Sequence, residues 1–546
     1  MTGLTMPRTV MRMPGTLVAA ACLVVGVLGA WVSWFSIPAF AVAVSALFLL
    51  IAYAAFRWPR AALVLVALSA ILDRYVVAGL LPASLGFATH ASSESLLAVV
   101  ALVITAAAAR RGTVWAAIWH PASAFLAAFV LLAFASALLN GVPPVQGTAG
   151  LLFTLDAAVL FYLVRMVGFN VRQALLAVSA LVGLLFAAGV IAILQALIRP
   201  DILGMTALLG RFGEAYRLAS IFGDPNVFAA LISAAAPFAA VAVVRAPRRR
   251  DRWVSGVVLF TMVLPLWLTF SRGGWIGMIA GFSVAMLILD RRVWLVGAVT
   301  VALAFVVATT MPRDLGGPIG GQTPPNLINS TQNRVDTIGS GKDLRTLFIK
   351  NGLPIVAAHP LLGVGPGMYG GAVADIFGTP IYAEYKTNKL FTNPAQNTVD
   401  NFWLHILVEA GILGTLAFIG GLLAIGWPIL RLAARSKARR RIVLVGIVSA
   451  TLSLAVNSTT TMLLEANSVA FVFWFLLGVG SSLVDVPSDS ELPAGQDLPG
   501  GTQDDADVAH EGPLLDVLEV EGDPLVEAEL PPAPNLPEAG EPRQDR

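Results

Sequence analysis

The sequence predicts an all-α, polytopic integral membrane protein with about 14 transmembrane helices and one large extracytoplasmic loop containing short helices. Three observations carry this. The 546 residues are 57% hydrophobic and 12% charged, with a mean hydropathy of +0.79, where a soluble domain has roughly 25% charged residues. The long apolar runs reach the length of about 20 residues that a spanning helix needs. Every second loop between those runs is loaded with Arg, the bias that marks cytoplasmic loops.

Read in order, the spans fall at about 16–35, 37–56, 61–81, 93–110, 122–140, 150–167, 173–197, 226–245, 253–270, 273–290, 293–311, 402–430, 441–459 and 466–484. With Arg8 and Arg12 inside, the inner loops are 57–60, 110–111, 165–172, 245–252, 291–292 and 431–441, and each is basic. After a minimal turn at Ser36, the outer loops are 82–92, 140–150, 199–225, 271–272, 311–400 and 459–465. The first, second and last of these hold no Lys or Arg. An even number of spans preserves the alternation and puts both termini in the cytoplasm. The expected location is the inner (cytoplasmic) membrane.

The polytopic domain therefore covers 1–484, and 485–546 is a tail of different composition. The tail holds 17 Asp+Glu against 2 Arg, which leaves 33 Lys+Arg against 16 Asp+Glu in the rest. Rich in Pro, Glu, Asp and Gly, it reads as a disordered, acidic cytoplasmic segment, with Leu514–Val520 as a candidate short binding helix. The single cysteine, Cys22, excludes a disulfide framework and a cysteine metal cage. It reads as a packing residue of the first span. No internal repeat stands out, which counts against transporter folds built from repeated halves.

Three outer-face regions keep Arg where the charge bias disfavours it. The first contains Arg217 and then Asp224-Pro225-Asn226. That triplet is a good turn and helix start, since Pro presets the backbone and Asp or Asn caps a helix. The second is Phe270-Ser271-Arg272-Gly273-Gly274-Trp275, so tight that Arg272 stays at the membrane boundary. Charges there face a cavity or a partner, or snorkel to headgroups. The third is the loop 311–400, of a length that is usually functional. Within it, Leu344, Leu347, Phe348, Ile355 and Ala358 predict an amphipathic helix over 342–358, with Pro354 as a candidate break. The glycine-rich stretch from His359 to Tyr369 lacks the Lys-Ser/Thr ending of a nucleotide P-loop. The loop closes on Asp400-Asn401-Phe402-Trp403-Leu404. Arg217, Arg272 and Arg345 thus share one membrane face with Asp224 and Asp400 nearby. Guanidinium groups grip phosphate bidentately and stay charged, which suits a diphosphate at headgroup depth.

These pieces resemble the O-antigen ligase and Wzy-type polymerase superfamily. The resemblance rests on Asp224-Pro225-Asn226, on Ser271-Arg272-Gly273-Gly274, and on Arg345 followed by His359-Pro360-Leu361-Leu362-Gly363-Val364-Gly365. It ends with Asp400-Asn401-Phe402-Trp403-Leu404 and Glu409-Ala410-Gly411-Ile412-Leu413-Gly414, so that it spans about 216–424. The order of the pieces carries more than any one of them. The resemblance implies a glycosyltransferase at the outer face of the membrane. Its donor is a polyprenyl-diphosphate-linked glycan and its acceptor a glycan, a lipid or a protein. It needs no metal or other cofactor and no nucleic acid. Arg217, Arg272 and Arg345 match positions where the family keeps arginines for the diphosphate. Ligases typically have His-Asn where this chain has Asp400-Asn401, so the candidate base moves from His to Asp.

The catalytic candidates are therefore Asp400, Arg272 and Arg217. Arg345, Asn401, Asp224, Asn226 and His359 are candidate substrate-binding residues. Asp400 also reads as a cap for the following span, and His405 as a packed, hydrogen-bonded histidine. The alternative reading is a transporter or lipid-linked glycan flippase. A flippase should show charge in both leaflets, and here Asp73-Arg74 is the main mid-span exception.

Overall fold

A computed structural model describes residues 37–72, 92–198, 217–310, 344–387 and 398–485, with Ile328, Gln332 and Asp336 singly. The expected span at 16–35, Cys22, Asp73-Arg74 and the tail after Asp485 lie outside the described residues. The helices in order are α1 Ile37–Arg57, α2 Pro59–Leu72, α3 Ser92–Arg110, α4 Val114–Ile118, α5 Pro121–Leu139, α6 Pro144–Leu155, α7 Ala158–Val167, α8 Val171–Leu197 and α9 Pro225–Arg245. They continue as α10 Arg249–Leu268, α11 Arg272–Ile288, α12 Arg291–Thr310, α13 Leu344–Ala358, α14 Ala372–Phe377, α15 Ile381–Glu384, α16 Phe402–Arg435, α17 Ala438–Asn457 and α18 Asn467–Val484.

Among the described residues, nine helices are long and apolar enough to cross a membrane, or ten with α6 and α7 taken as one bent span. The protein is a multi-span membrane protein. Its helices are apolar all round, so burial decides which lie inside. Within their spanning windows α18 is 83% and α9 78% buried, against 28% for α3, α5 and α12. Large apolar side chains such as Leu102, Leu287, Leu295 and Leu423 stand exposed on the outside of the bundle, as lipid contact requires. The α9, α11 and α17 helices pack against one another, α5 lies along α16, and α7 along α18. Small residues allow the close approach. A Cβ on Gly281 of α11 would sit 2.8 Å from Pro237 of α9 and 3.1 Å from the Ser449 carbonyl of α17.

Two elements change or settle an expectation. The run expected at 150–167 is a pair of helices, α6 and α7, bent by 49°. The Asp156 carboxylate accepts from the adjacent Ala157 N–H and competes with helix continuation there. The second is α13, which is continuous through Pro354. Phe348 and Ile355 are fully buried, whereas Ala358 is exposed.

The described part of the large loop has its own small core, made by Phe348, Ile355, Val364, Met368, Tyr369, Ile381 and Val399 with Leu404 and Val408 of α16 and Val142. This core docks on α16 through a break in that helix. Gly411 has φ 64° and ψ −171°, a conformation essentially restricted to glycine. The carbonyls of Val408 and Glu409, left without helical partners, accept from Val364 N and Gly365 N, both at 2.9 Å. On the other side of the break, Ile412 N and Leu413 N donate to the carbonyls of Pro360 (2.9 Å) and Leu361 (3.2 Å). Four backbone hydrogen bonds thus close the gap, as buried irregular backbone demands. Ser136 Oγ and Asn140 Nδ2 of the α5 end add bonds to the Gly363 carbonyl.

Candidate active site

The N-terminal ends of α9, α11 and α16 and the C-terminal end of α17 link the arginines along two short segments, 269–273 and 457–460. Arg217 lies beside the first. Its Nε donates to the Thr269 carbonyl at 2.8 Å and its Nη2 to Asn226 Oδ1 at 2.8 Å. Asp224 caps α9, with its carboxylate accepting from Asn226 N at 2.7 Å, and Pro225 fills the first helical position. The triplet is thus the capped helix start that its residue types suit, and its Asn also orients Arg217.

Next comes the turn into α11. Phe270 takes a positive φ of 49°, strained for an aromatic residue. Ser271 then caps α11, with Oγ accepting from Gly274 N at 3.3 Å. Arg272 is the first residue of that helix and is only 9% exposed. A cation at a helix N-terminus adds to the positive end of the dipole, an arrangement that costs stability but concentrates positive potential. The two glycines after it exist for close packing. A Cβ on Gly273 would lie 1.9 Å from Thr460 Oγ1, and one on Gly274 would lie 2.8 Å from Ala229 Cβ.

Thr460 joins the third arginine to this group. Arg345 Nε donates to the Thr460 carbonyl at 2.9 Å and lies 3.8 Å from Asp400 Oδ2. Asp400 sits between fixed neighbours. Val399 N donates to the Gly370 carbonyl, and Phe402 N to the Ser458 carbonyl, each at 2.9 Å. Asn401, not Asp400, caps α16, with its side chain accepting from Leu404 N at 3.1 Å. The Asp400 carboxylate takes no part in that cap and faces Arg345. His359 belongs elsewhere. Its backbone closes the turn after α13, with its N–H on the Ile355 carbonyl and its own carbonyl taking Gly363 N.

A second polar cluster lies behind the first. His405 Nδ1 faces the Tyr369 carbonyl, so that nitrogen carries a proton. Nε2 faces Glu465 Oε1 at 2.8 Å and Glu409 Oε2 at 3.6 Å. Glu409 also accepts from Gly367 N (2.9 Å) and Tyr369 N (2.7 Å), a backbone nest around its carboxylate. His405 is packed and hydrogen bonded, as expected of a polar residue inside a span. Tyr382 adds its hydroxyl as acceptor for Gly370 N at 2.8 Å. Burial pushes the hydroxyls of Tyr369 and Tyr382 above the usual tyrosine range, so both stay neutral.

The sequence reading did not single out Asn457, Thr460 or Glu465. Asn457 ends α17 and the other two lie in the short connection to α18, which showed only an absence of Lys and Arg. Its run Asn457-Ser458-Thr459-Thr460-Thr461, unusually polar at the end of a span, was the available signal.

The described residues form a multi-span membrane protein in which Arg217, Arg272 and Arg345 are linked through 269–273 and 457–460 at one end of the bundle. Residues 257–419 match the family model described as O-antigen ligase, so the chain carries an O-antigen ligase-like region there. The matched region runs from α10 into α16 and contains Arg272, Arg345 and Asp400. No curated protein matches the chain.

Proposed function

We propose that this protein is a glycosyltransferase that moves a glycan from a polyprenyl diphosphate to an acceptor hydroxyl at the outer face of the cytoplasmic membrane. It thereby ligates or polymerises surface polysaccharide. The observation that carries this reading is the linkage of three arginines around two adjoining segments, with a carboxylate 3.8 Å from one of them. The match to the O-antigen ligase family supports the class of reaction. Under the charge-derived topology, both termini and the Arg-rich loops are cytoplasmic and 311–400 is outside.

In this mechanism the acceptor oxygen attacks the anomeric carbon as the bond from that carbon to the diphosphate oxygen breaks. The diphosphate leaves with the bonding electrons. Arg217, Arg272 and Arg345 stabilise its developing charge, and the helix N-terminus at Arg272 adds to their field. Asp400 takes the hydroxyl proton as general base. Direct displacement inverts the anomeric centre. The guanidinium groups fill the cation role that a metal has in many transferases. Asn401 and Asp224 are engaged as helix caps and Asn226 holds Arg217, so these three shape the site from its walls, whereas His359 is engaged through its backbone in the turn after α13.

The test uses membranes supplied with a polyprenyl-diphosphate glycan. Arg272→Ala and Arg272→Lys should both abolish transfer while leaving an inserted, folded protein, because Lys keeps the charge but lacks the planar fork. Near-normal transfer by Arg272→Lys would remove the diphosphate role of this residue.

A further inference from the structure

We propose that the turn 457–460 between α17 and α18 is a brace that sets the spacing of Arg272 and Arg345, and that Gly273 and Thr460 are positioning residues of the transfer. The proposal rests on the arginine reading given above. It goes beyond it by adding a segment outside the region matched by the O-antigen ligase family model.

The turn has two faces. Through its backbone, the Thr460 carbonyl takes Arg345 Nε at 2.9 Å. Through its side chains it presses on the first turn of α11, where a Cβ on Gly273 would lie 1.9 Å from Thr460 Oγ1 and 2.2 Å from Asn457 Oδ1. One residue thus touches the helix that begins with Arg272 and also anchors Arg345. The turn is itself stiff. Thr460 Oγ1 donates to the Asn457 carbonyl at 2.9 Å, Thr460 N donates to the same carbonyl at 2.9 Å, and Asn457 is fully buried. The Ser458 carbonyl also takes Phe402 N, two residues after Asp400. Among the described residues, buried Asn457 Nδ2 has no hydrogen-bond partner, a cost that packing alone gives no reason to carry. Arg217 shows the same pattern on the opposite side, with its Nε on the Thr269 carbonyl just before the Arg272 turn. In both flanking arginines the Nε is committed to backbone, which fixes the plane of the guanidinium. Orientation of this kind is worth large factors in rate.

The decisive experiment is a double-mutant cycle between residues that do not bond each other. Gly273→Ala forces the turn away from α11 without altering any arginine. Alone, Gly273→Ala and Arg345→Ala should each lower transfer by about a hundredfold, as loss of one charge-stabilising group does. Together they should cost no more than about threefold beyond the worse single variant, because the first change already displaces Arg345. The losses should fall on kcat and on the donor KM, leaving the acceptor KM unchanged. Gly281→Ala, deeper on the same helix and against Pro237 and Ser449, reports packing alone and should combine additively with Arg345→Ala. If Gly273→Ala does not fold, Thr460→Gly, which keeps the carbonyl but loosens the turn, replaces it in the cycle. A large loss in Arg345→Ala that adds fully to either change overturns the brace while leaving the arginine reading intact. Full activity of Arg345→Ala overturns both.

Discussion

Arg345 Nε lies 3.8 Å from Asp400 Oδ2, and the two side chains are 18% and 28% exposed. A guanidinium of the proposed leaving-group site therefore touches the proposed base. This pairing holds the Asp400 carboxylate beside the arginine. Asp400→Asn tests the role cleanly, because the α16 cap belongs to Asn401 and is untouched. The variant should be stable and transfer about a hundredfold or more slowly. Asp400→His, which restores the residue that the ligase pattern places here, should be faster than Asp400→Asn. Full activity in Asp400→Asn, measured with the lipid-diphosphate donor, would eliminate the base.

The break in α16 gives a stability prediction. A Cβ on Gly411 would lie 2.4 Å from the Leu361 carbonyl, and the backbone there suits only glycine. Gly411→Ala should destabilise the protein by at least about 2 kcal/mol. Glu409→Gln should cost about 1–3 kcal/mol, because an amide cannot accept from both Gly367 N and Tyr369 N. Thermal unfolding in detergent, with proteolysis within 344–387 as the local readout, checks both. Wild-type behaviour in either variant would show that the docked loop does not depend on these bonds.

Which parts of this were legible in the sequence follows from what each depends on. The described spans were visible because apolar length is a local property. The helices at 226–245, 253–270, 441–459 and 466–484 are found within a few residues of those bounds. The bend at Asp156 was not visible, since one carboxylate in an apolar run does not say which way its backbone turns. The residues flanking the site were readable as turn and cap types, but which Asx residue caps α16 depends on the placement of Val399 and Phe402. The joining of His359–Gly365 to Glu409–Gly414 was seen only as two motifs in order. Its four hydrogen bonds are long-range and leave no periodic trace. The approach of Thr460 to Gly273 and its bond to Arg345 leave no such trace either.

A titration prediction concerns the opposite end of the bundle. His120 caps α5 by accepting from Ala122 N at 3.2 Å, which requires a neutral Nδ1. Burial, helped by the nearby Arg165 guanidinium, lowers its pKa from 6.5 to about 4. A histidine depressed in the folded state contributes stability that is complete above pH 6.5 and is lost as the pH falls through 4. Asn caps a helix without titrating, so His120→Asn should remove this pH dependence. The gap in melting temperature between the two proteins should change between pH 6.5 and 4 and stay constant above. A constant gap across the whole range would contradict the depressed value.

The topology is open to direct labelling. With Cys22 replaced by Ser, a cysteine at Glu384 should react with an impermeant thiol reagent applied from outside, and one at Lys437 should not. Both positions are exposed. The reverse pattern would invert the orientation and move the arginine site to the cytoplasmic face.

The closed gap at Gly411 has a consequence for how such a chain can be recombined. Residues 360–365 supply the partners that 408–413 lack, so neither stretch is complete by itself. A chimera that takes the large loop from one homologue and the following helix from another would inherit half of a shared backbone ladder. Exchanges that split the pair should fail to assemble even where every side chain is compatible. Exchanges that move both halves together should be tolerated, which makes this interval a single heritable unit despite the residues that intervene.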